Sequence, residues 1–459
     1  MFRINKNICA FSPSGKYFAS VLQNELSIKY TSTLENYKLF NFSDQIESIE
    51  WCPNDQYILC VNLKKGIIRI FTTKRKEFNF KFKEGSGGIE KVIWAPDCKS
   101  IIIISDLNIY LSIITLDEQT ITHIWNIKSS GKYLAINHLR KHLAVITTSD
   151  STDKIEIYKS KDWKLTRKLI CDKLFSIDGI SWSPNGELLG IWCSAIEKSR
   201  ILIYSMTTDT HIGAFSANEY PSINYNNFFG SECGDFTIDK PLRGIEKVVW
   251  SPTGQLLAIA GYNETVVLIN HVTWSIILQL HCKPVIHESN NYLGKVYREI
   301  DITRRDWSNY MSNNVMPDHH IKYTLEEILD RPIGIPIDIE PKNFDISIAT
   351  IDILSFSPCG KYLAIRHQVY PSTLWIWDLM DDCVDNIILK NSISGIAWEP
   401  KKTHLLIFSE SPIIVEWHPT KKVELFESPR GMKVINGKWS PNGESVALIG
   451  FNKTSVIKL

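Results

Sequence analysis

The chain has 459 residues, 44% hydrophobic and 22% charged, with 51 lysines and arginines against 50 aspartates and glutamates. A formal net charge of +1 supplies no global field for nucleic acid or an anionic membrane. No run of 18 apolar residues offers a transmembrane helix, and Met1–Ile8 lacks the apolar region of a signal peptide. The 10 cysteines are scattered, which predicts reduced thiols in an intracellular protein and not a disulfide framework.

Taken in chain order, one phrase organises the sequence: an aromatic, then Ser-Pro-x-Gly, then a β-rich run. It opens at Phe11-Ser-Pro-Ser-Gly15 and weakens at Trp51-Cys-Pro-Asn-Asp55 and Trp94-Ala-Pro-Asp-Cys98. A worn copy lies near Asn137-His138, followed by Leu143-Ala-Val-Ile-Thr147. Clear copies return at Trp182-Ser-Pro-Asn-Gly186, Trp250-Ser-Pro-Thr-Gly254 and Phe356-Ser-Pro-Cys-Gly360. Trp398-Glu-Pro-Lys-Lys402 and Trp439-Ser-Pro-Asn-Gly443 complete the series. With His138 standing for the fourth aromatic, the steps are 40, 43, 44, 44, 68, 106, 42 and 41 residues. A period near 40–45 residues is that of WD40-type propeller blades.

Each copy reads as one blade. A short apolar strand ends at the aromatic, and Pro with Gly, Asn or Asp makes a tight turn. A second strand follows with a small residue at its centre (Ala19, Ala258, Ala364), then a third such as Ile67–Phe71, Ile155–Tyr158, Ile201–Tyr204, Val266–Asn270 and Leu374–Asp378. Fourth strands are predicted over Trp163–Leu169 and Trp274–Leu280. The last unit stops after its third strand at Ser455–Leu459, and Phe2 to Asn5 are expected to supply the missing outer strand and remove an open edge. The expected fold is therefore all-β, a WD40-type β-propeller over residues 1–459, in a single large ring. Nine units exceed the usual 4–8 blades, so a regular seven- or eight-bladed ring with weak units outside it is the alternative.

Two intervals are stretched. Residues 218–244 form an insertion between blades five and six, and 281–345 another between blades six and seven, in which Tyr323–Asp330 suggests a short helix. Loops of this length are functional or disordered, and disorder at the centre of each is expected.

Several strings go beyond generic repeat wording: Asp44-Gln-Ile-Glu-Ser-Ile-Glu-Trp51, Tyr57-Ile-Leu-Cys60, Lys83-Glu-Gly-Ser-Gly-Gly88, Lys161-Asp-Trp-Lys-Leu165 and Val267-Leu-Ile-Asn-His-Val-Thr-Trp274. Together they resemble the WD repeat-containing protein eight family of centrosomal and spindle-pole scaffolds, from the first blade to the last. The resemblance implies a non-catalytic scaffold at the microtubule-organising centre that anchors microtubule minus ends and supports spindle assembly. Its implied partners are a coiled-coil anchoring protein and, in some lineages, a minus-end-directed kinesin, with no nucleic acid and no membrane. The implied location is the cytoplasm and cytoskeleton, at the centrosome or spindle pole. Glu84, Gly85, Ser86, Gly88, Asn270, His271 and Trp274 are the signature positions and the candidate interaction residues. The sequence departs from the family at the insert after Ser216-Ala-Asn-Glu-Tyr220, which is longer than the family's, and over 281–345.

Chemistry-bearing patterns are sparse. Cys9, Cys52 and Cys60 fall on separate elements without a CxxC, His281-Cys282 with His287 and Asp318-His-His320 lie in the insertion, and no metal is expected. No GxxxxGK[ST] or GxGxxG opens a helix. Ser86 lacks the first glycine and the strand-turn-helix setting of a nucleophile elbow. No cofactor and no catalytic residue are expected. Lys64-Lys65, Lys74-Arg75-Lys76 and Lys83 interleave with Phe78, Phe80 and Phe82. That pattern suits RNA or acidic tails, but alternating Phe reads better as an outer strand packed on its neighbour. Trp377-Asp378, the one Trp-Asp of the chain, is expected to be structural. The alternative function is an RNA- or ribosome-associated propeller of the translation-initiation-factor type, against which the neutral charge argues. A propeller hydrolase would need carboxylates or His converging on the central channel.

Overall fold

The computed structural model describes residues 2–3, 8–73, 79–84, 88–105, 110–128, 132–217, 242–287, 294–301, 323–337, 349–381 and 383–459. Nine blade sheets are present among them, so the chain is an all-β WD40-type propeller with nine blades. It divides into two compact units, Ile8–Leu280 and Met1–Asn7 with His281–Leu459.

The unit Ile8–Leu280 carries six four-stranded antiparallel blades. Blade one runs Cys9–Phe11, Tyr17–Leu22, Glu25–Tyr30 and Asn36–Asn41. The other unit carries three blades. In blade nine, Phe2–Arg3 pairs antiparallel with Lys453–Lys458 through Phe2 with Thr454 and Arg3 with Lys453. Phe2–Arg3 thus takes the expected outer position of blade nine, beside the start of Lys453–Lys458.

The register explains the repeated phrase. In eight of the nine blades the residue ending the inner strand pairs with the residue seven positions later: Phe11 with Phe18, Trp51 with Ile58, Trp94 with Ile101, Trp182 with Leu189 and Trp250 with Leu257. Phe356 pairs with Leu363, Trp398 with Leu405 and Trp439 with Val446. In blade four the same offset joins Ile136 to Leu143. Ile136, not His138, therefore takes the aromatic's place. The worn copy extends the ladder through Asn137 and His142, leaving His138 in the turn beyond it.

Serine sets the offset. The Ser440 N–H donates to the Ser445 carbonyl at 2.8 Å, Gly443 N–H donates back to the Ser440 carbonyl at 2.9 Å, and the Ser440 Oγ accepts from Ser445 N–H at 3.0 Å. Ser12, Ser183, Ser251 and Ser357 make the same three bonds. The glycines at 15, 186, 254, 360 and 443 have φ between 69° and 77°, a conformation glycine reaches at no steric cost. In the weak copies Asp55 and Cys98 hold that position at φ 61° and 58°, and Asp97 Oδ1 replaces the missing hydroxyl by accepting from Ser100 N–H at 2.9 Å. Ser440→Ala leaves a buried N–H without its acceptor and should cost about 1–3 kcal/mol, read by urea denaturation. A change below a few tenths would show that the hydroxyl does not hold the turn.

The aromatic itself ties blade to blade. Trp51 Nε1 donates to the Ala10 carbonyl, Trp94 to Glu50, Trp182 to Ala135 and Trp439 to Ala397, at 3.0–3.2 Å. Each bond reaches the inner strand of the preceding blade, and apolar clusters fill the space behind it. Asp378 of the Trp-Asp pair is structural: its Oδ1 accepts from Met380 N–H at 3.0 Å, and its Oδ2 meets Lys361 Nζ at 2.9 Å.

Two local expectations are corrected. The predicted fourth strands begin later, at Leu165–Ile170 and Ile276–His281, because Trp163 and Trp274 sit in turns with φ 53° and 56°. The suggested helix at Tyr323–Asp330 is a strand, Tyr323–Glu327. It pairs antiparallel with Val296–Asp301, which pairs parallel with the outer strand Cys383–Ile388 of blade seven. The insertion thereby turns that blade into a six-stranded sheet. An open strand edge offers the backbone partners a lone helical turn would not have, and Leu325 is buried while its neighbour Glu326 is exposed. Residues 218–241, 288–293, 302–322 and 338–345 of the insertions lie outside the described residues.

Candidate functional site

Asn270, His271 and Trp274 form the turn between the third and fourth strands of blade six. Trp274 N–H donates to the Asn270 carbonyl at 2.9 Å, Asn270 Oδ1 accepts from Val272 N–H at 2.7 Å, and His271 N–H donates to the Gln255 carbonyl at 3.0 Å. Trp274 is buried and lies over Gly213 of blade five, where a Cβ would come within 2.2 Å of its ring. Trp163 repeats the turn in blade four, its N–H on the Lys159 carbonyl at 2.9 Å and its Nε1 on Ser100 Oγ at 3.3 Å. Blade one does it with Leu34 at φ 60°. The signature string thus encodes a left-handed turn residue whose ring packs on the preceding blade. His271, Val272 and Thr273 remain at the surface around it.

Gly85 and Ser86 lie outside the described residues. Gly88 is described, with φ 73°. Glu84 is only 9% exposed. It continues the row of Phe80 and Phe82, which pack into the core shared by blades two and three. That is the outer-strand reading of the Phe alternation; Phe78 lies outside the described residues.

Glu84 touches a group of rings absent from the sequence-based candidates. Its Oε1 accepts from the Tyr110 hydroxyl at 3.1 Å, while its Oε2 is enclosed with no hydrogen-bond partner among the described residues. Burial first, and then the Glu84 charge, push the Tyr110 hydroxyl above its usual range. Tyr110 begins the third strand of blade three (Tyr110–Thr115) and pairs with Trp125 at the end of the fourth (Ile121–Trp125). Trp125 and His123 lie 5.0 and 5.4 Å from the Tyr110 ring, and 5.7 Å from each other. Trp125 is 57% exposed. The available signal was a tryptophan outside the repeated phrase, but Trp163, Trp192 and Trp274 share it and are buried.

Blade four carries a second distinctive surface. Ser160 N–H donates to the Lys141 carbonyl at 2.9 Å, and His142 pairs with Lys159. These contacts bring the turn with Arg140 and Lys141 beside the turn with Lys159, Lys161 and Lys164. Burial, then Lys159, Arg167 and Arg140, hold the His142 imidazole below its usual range. Among the described residues no three His, Cys, Asp or Glu side chains form a metal-holding group.

Comparison with known proteins is consistent with this architecture. No family model matches. The chain is 27% identical over 457 residues to the WD repeat-containing protein WRAP73 of Mus musculus, spanning 98% of this chain and 92% of that protein. It is 19% identical over 423 residues to an uncharacterized WD repeat-containing protein of Schizosaccharomyces pombe, covering 88% and 76% of the two chains. Among solved structures, the C-terminal WD40 domain of Sif2 superposes with a TM-score of 0.51 at 10% identity, over 100% of this chain and 97% of that one. That likeness speaks to the fold alone.

Proposed function

We propose that this chain, a WD-repeat protein, is a non-catalytic interaction scaffold of the spindle pole or microtubule-organising centre. In this reading it anchors microtubule minus ends and supports spindle assembly through a coiled-coil partner, with a minus-end-directed kinesin as a further partner. WD40 propellers are typically protein-interaction scaffolds, and the described blades spend their polar groups on turns and inter-blade ties. The observation that carries the finer reading is the family resemblance in the inter-repeat strings, supported by co-linear similarity to a WD repeat-containing protein over 98% of the chain. The fluorescently tagged protein should focus at spindle poles in dividing cells, and depletion should detach minus ends from them. A diffuse signal through mitosis would sink the proposal.

The cationic turns of blade four favour one second reading, the RNA- or ribosome-associated propeller. In that case the protein co-sediments with ribosomes and is released by raised salt, because such binding is electrostatic. Arg140→Glu with Lys161→Glu would then abolish co-sedimentation. The net charge of +1 places this reading second.

A further inference from the structure

We propose that Glu84, Tyr110, His123 and Trp125 form a recognition pocket on the rim of blade three for an arginine side chain presented by a protein partner. The proposal rests on the reading of the chain as a protein-interaction scaffold and names the chemistry of one contact. All four residues belong to the unit Ile8–Leu280. Strand alternation puts Tyr110, Ser112 and Ile114 on one face, paired with Trp125, His123 and Ile121. Ile114 on that face is core with blade two, so its third-strand side is closed at one end, while Ile121 opposite it on the outer strand is 45% exposed. The face opens at the other end, where Trp125 is exposed.

Two independent features of the open end select the ligand. The first is the rings, held at 5.0–5.7 Å from one another. The face of Trp is the best aromatic partner for a cation, and the planar guanidinium stacks on it as an ammonium does not. The second is Glu84, whose Oε1 already accepts from Tyr110 while its Oε2 has no hydrogen-bond partner among the described residues. A buried carboxylate oxygen without a donor is costly. A guanidinium stacked on the rings brings a positive charge against this carboxylate, so one side chain answers both features. An exposed Trp flanked by partly covered polar groups is also the composition of interface hot spots.

The test uses the full chain labelled with 5-fluorotryptophan. The one 19F resonance lost in Trp125→Tyr, out of 14 tryptophans, assigns Trp125. A blocked tripeptide, acetyl-Gly-Arg-Gly-amide, should shift that resonance saturably. The citrulline tripeptide, of the same shape without the charge, should leave it in place. Glu84→Gln should weaken the arginine tripeptide about tenfold with the remaining tryptophan resonances unmoved, which shows that the fold is intact. Equal shifts with arginine and citrulline, or full affinity in Glu84→Gln, would overturn the pocket. The titration makes no use of the spindle pole, so its failure and that of the cellular reading are distinguishable.

Discussion

Replacing Trp417 with alanine should lower the unfolding free energy of the unit that contains it by about 3–5 kcal/mol, the range for deleting a large buried ring. Trp417 ends the third strand of blade eight, Ile413–Trp417, and is 2% exposed. Its ring meets Tyr362 at 5.3 Å and Trp398 at 6.0 Å, both edge to face, in a cluster drawn from blades seven and eight. Its Nε1 donates to Asp385 Oδ2 at 2.9 Å, and Asp385 Oδ1 accepts from Lys295 N–H at 2.8 Å. One side chain therefore holds two blades together and also steadies the residue that anchors the added strand Val296–Asp301. Trp417→Phe separates the effects: it keeps most of the packing and loses the bond, for about 1–3 kcal/mol. Urea denaturation checks both. A loss below 1 kcal/mol for the alanine variant would mean that the cluster closes over the gap.

The second large effect concerns pH. Glu50 lies on the inner strand Ser48–Trp51 of blade two, and burial pushes its carboxyl up to about 7 against pulls from the Trp94 backbone and Lys91. Because the folded value is raised, its stabilising contribution is present below the unfolded value near 4.5 and is lost as pH rises through about 7. That difference corresponds to about 3 kcal/mol. Glu50→Gln should then match the parent protein at pH 4.5 and exceed it by up to that amount at pH 8. Parallel denaturation curves at the two pH values measure it. A variant less stable than the parent at pH 8 would show that the ionised carboxylate has a partner that outweighs its burial.

Much of the fold was legible because its signals are local. Ser-Pro-x-Gly closes its own turn through bonds spanning three and five residues, so each copy declares a hairpin wherever it stands. The outer strand expected for the last blade was likewise found at Phe2–Arg3. Errors arose where local pattern and long-range pairing compete. Tyr323–Glu327 has residues that suit a helix, but the edge of Val296–Asp301 makes it a strand. Trp163 and Trp274 look like strand starts, but a left-handed turn aims their rings at the preceding blade. His138 looked like the fourth aromatic until the register showed Ile136 in that place.

The candidate surface was legible only in part. Glu84 stood out as part of a rare string, but its meaning depends on Tyr110 and Trp125, 26 and 41 positions later. The sequence by itself determined the repeat, the hairpins and the blade class, since these rest on turn chemistry and alternation within about ten residues. Only the tertiary structure decided which tryptophans are core and which are exposed, and which carboxylates lie buried. It also decided that an insertion becomes two extra strands of blade seven. Those properties belong to pairs of blades, and no single repeat contains the neighbour against which its side chains are buried.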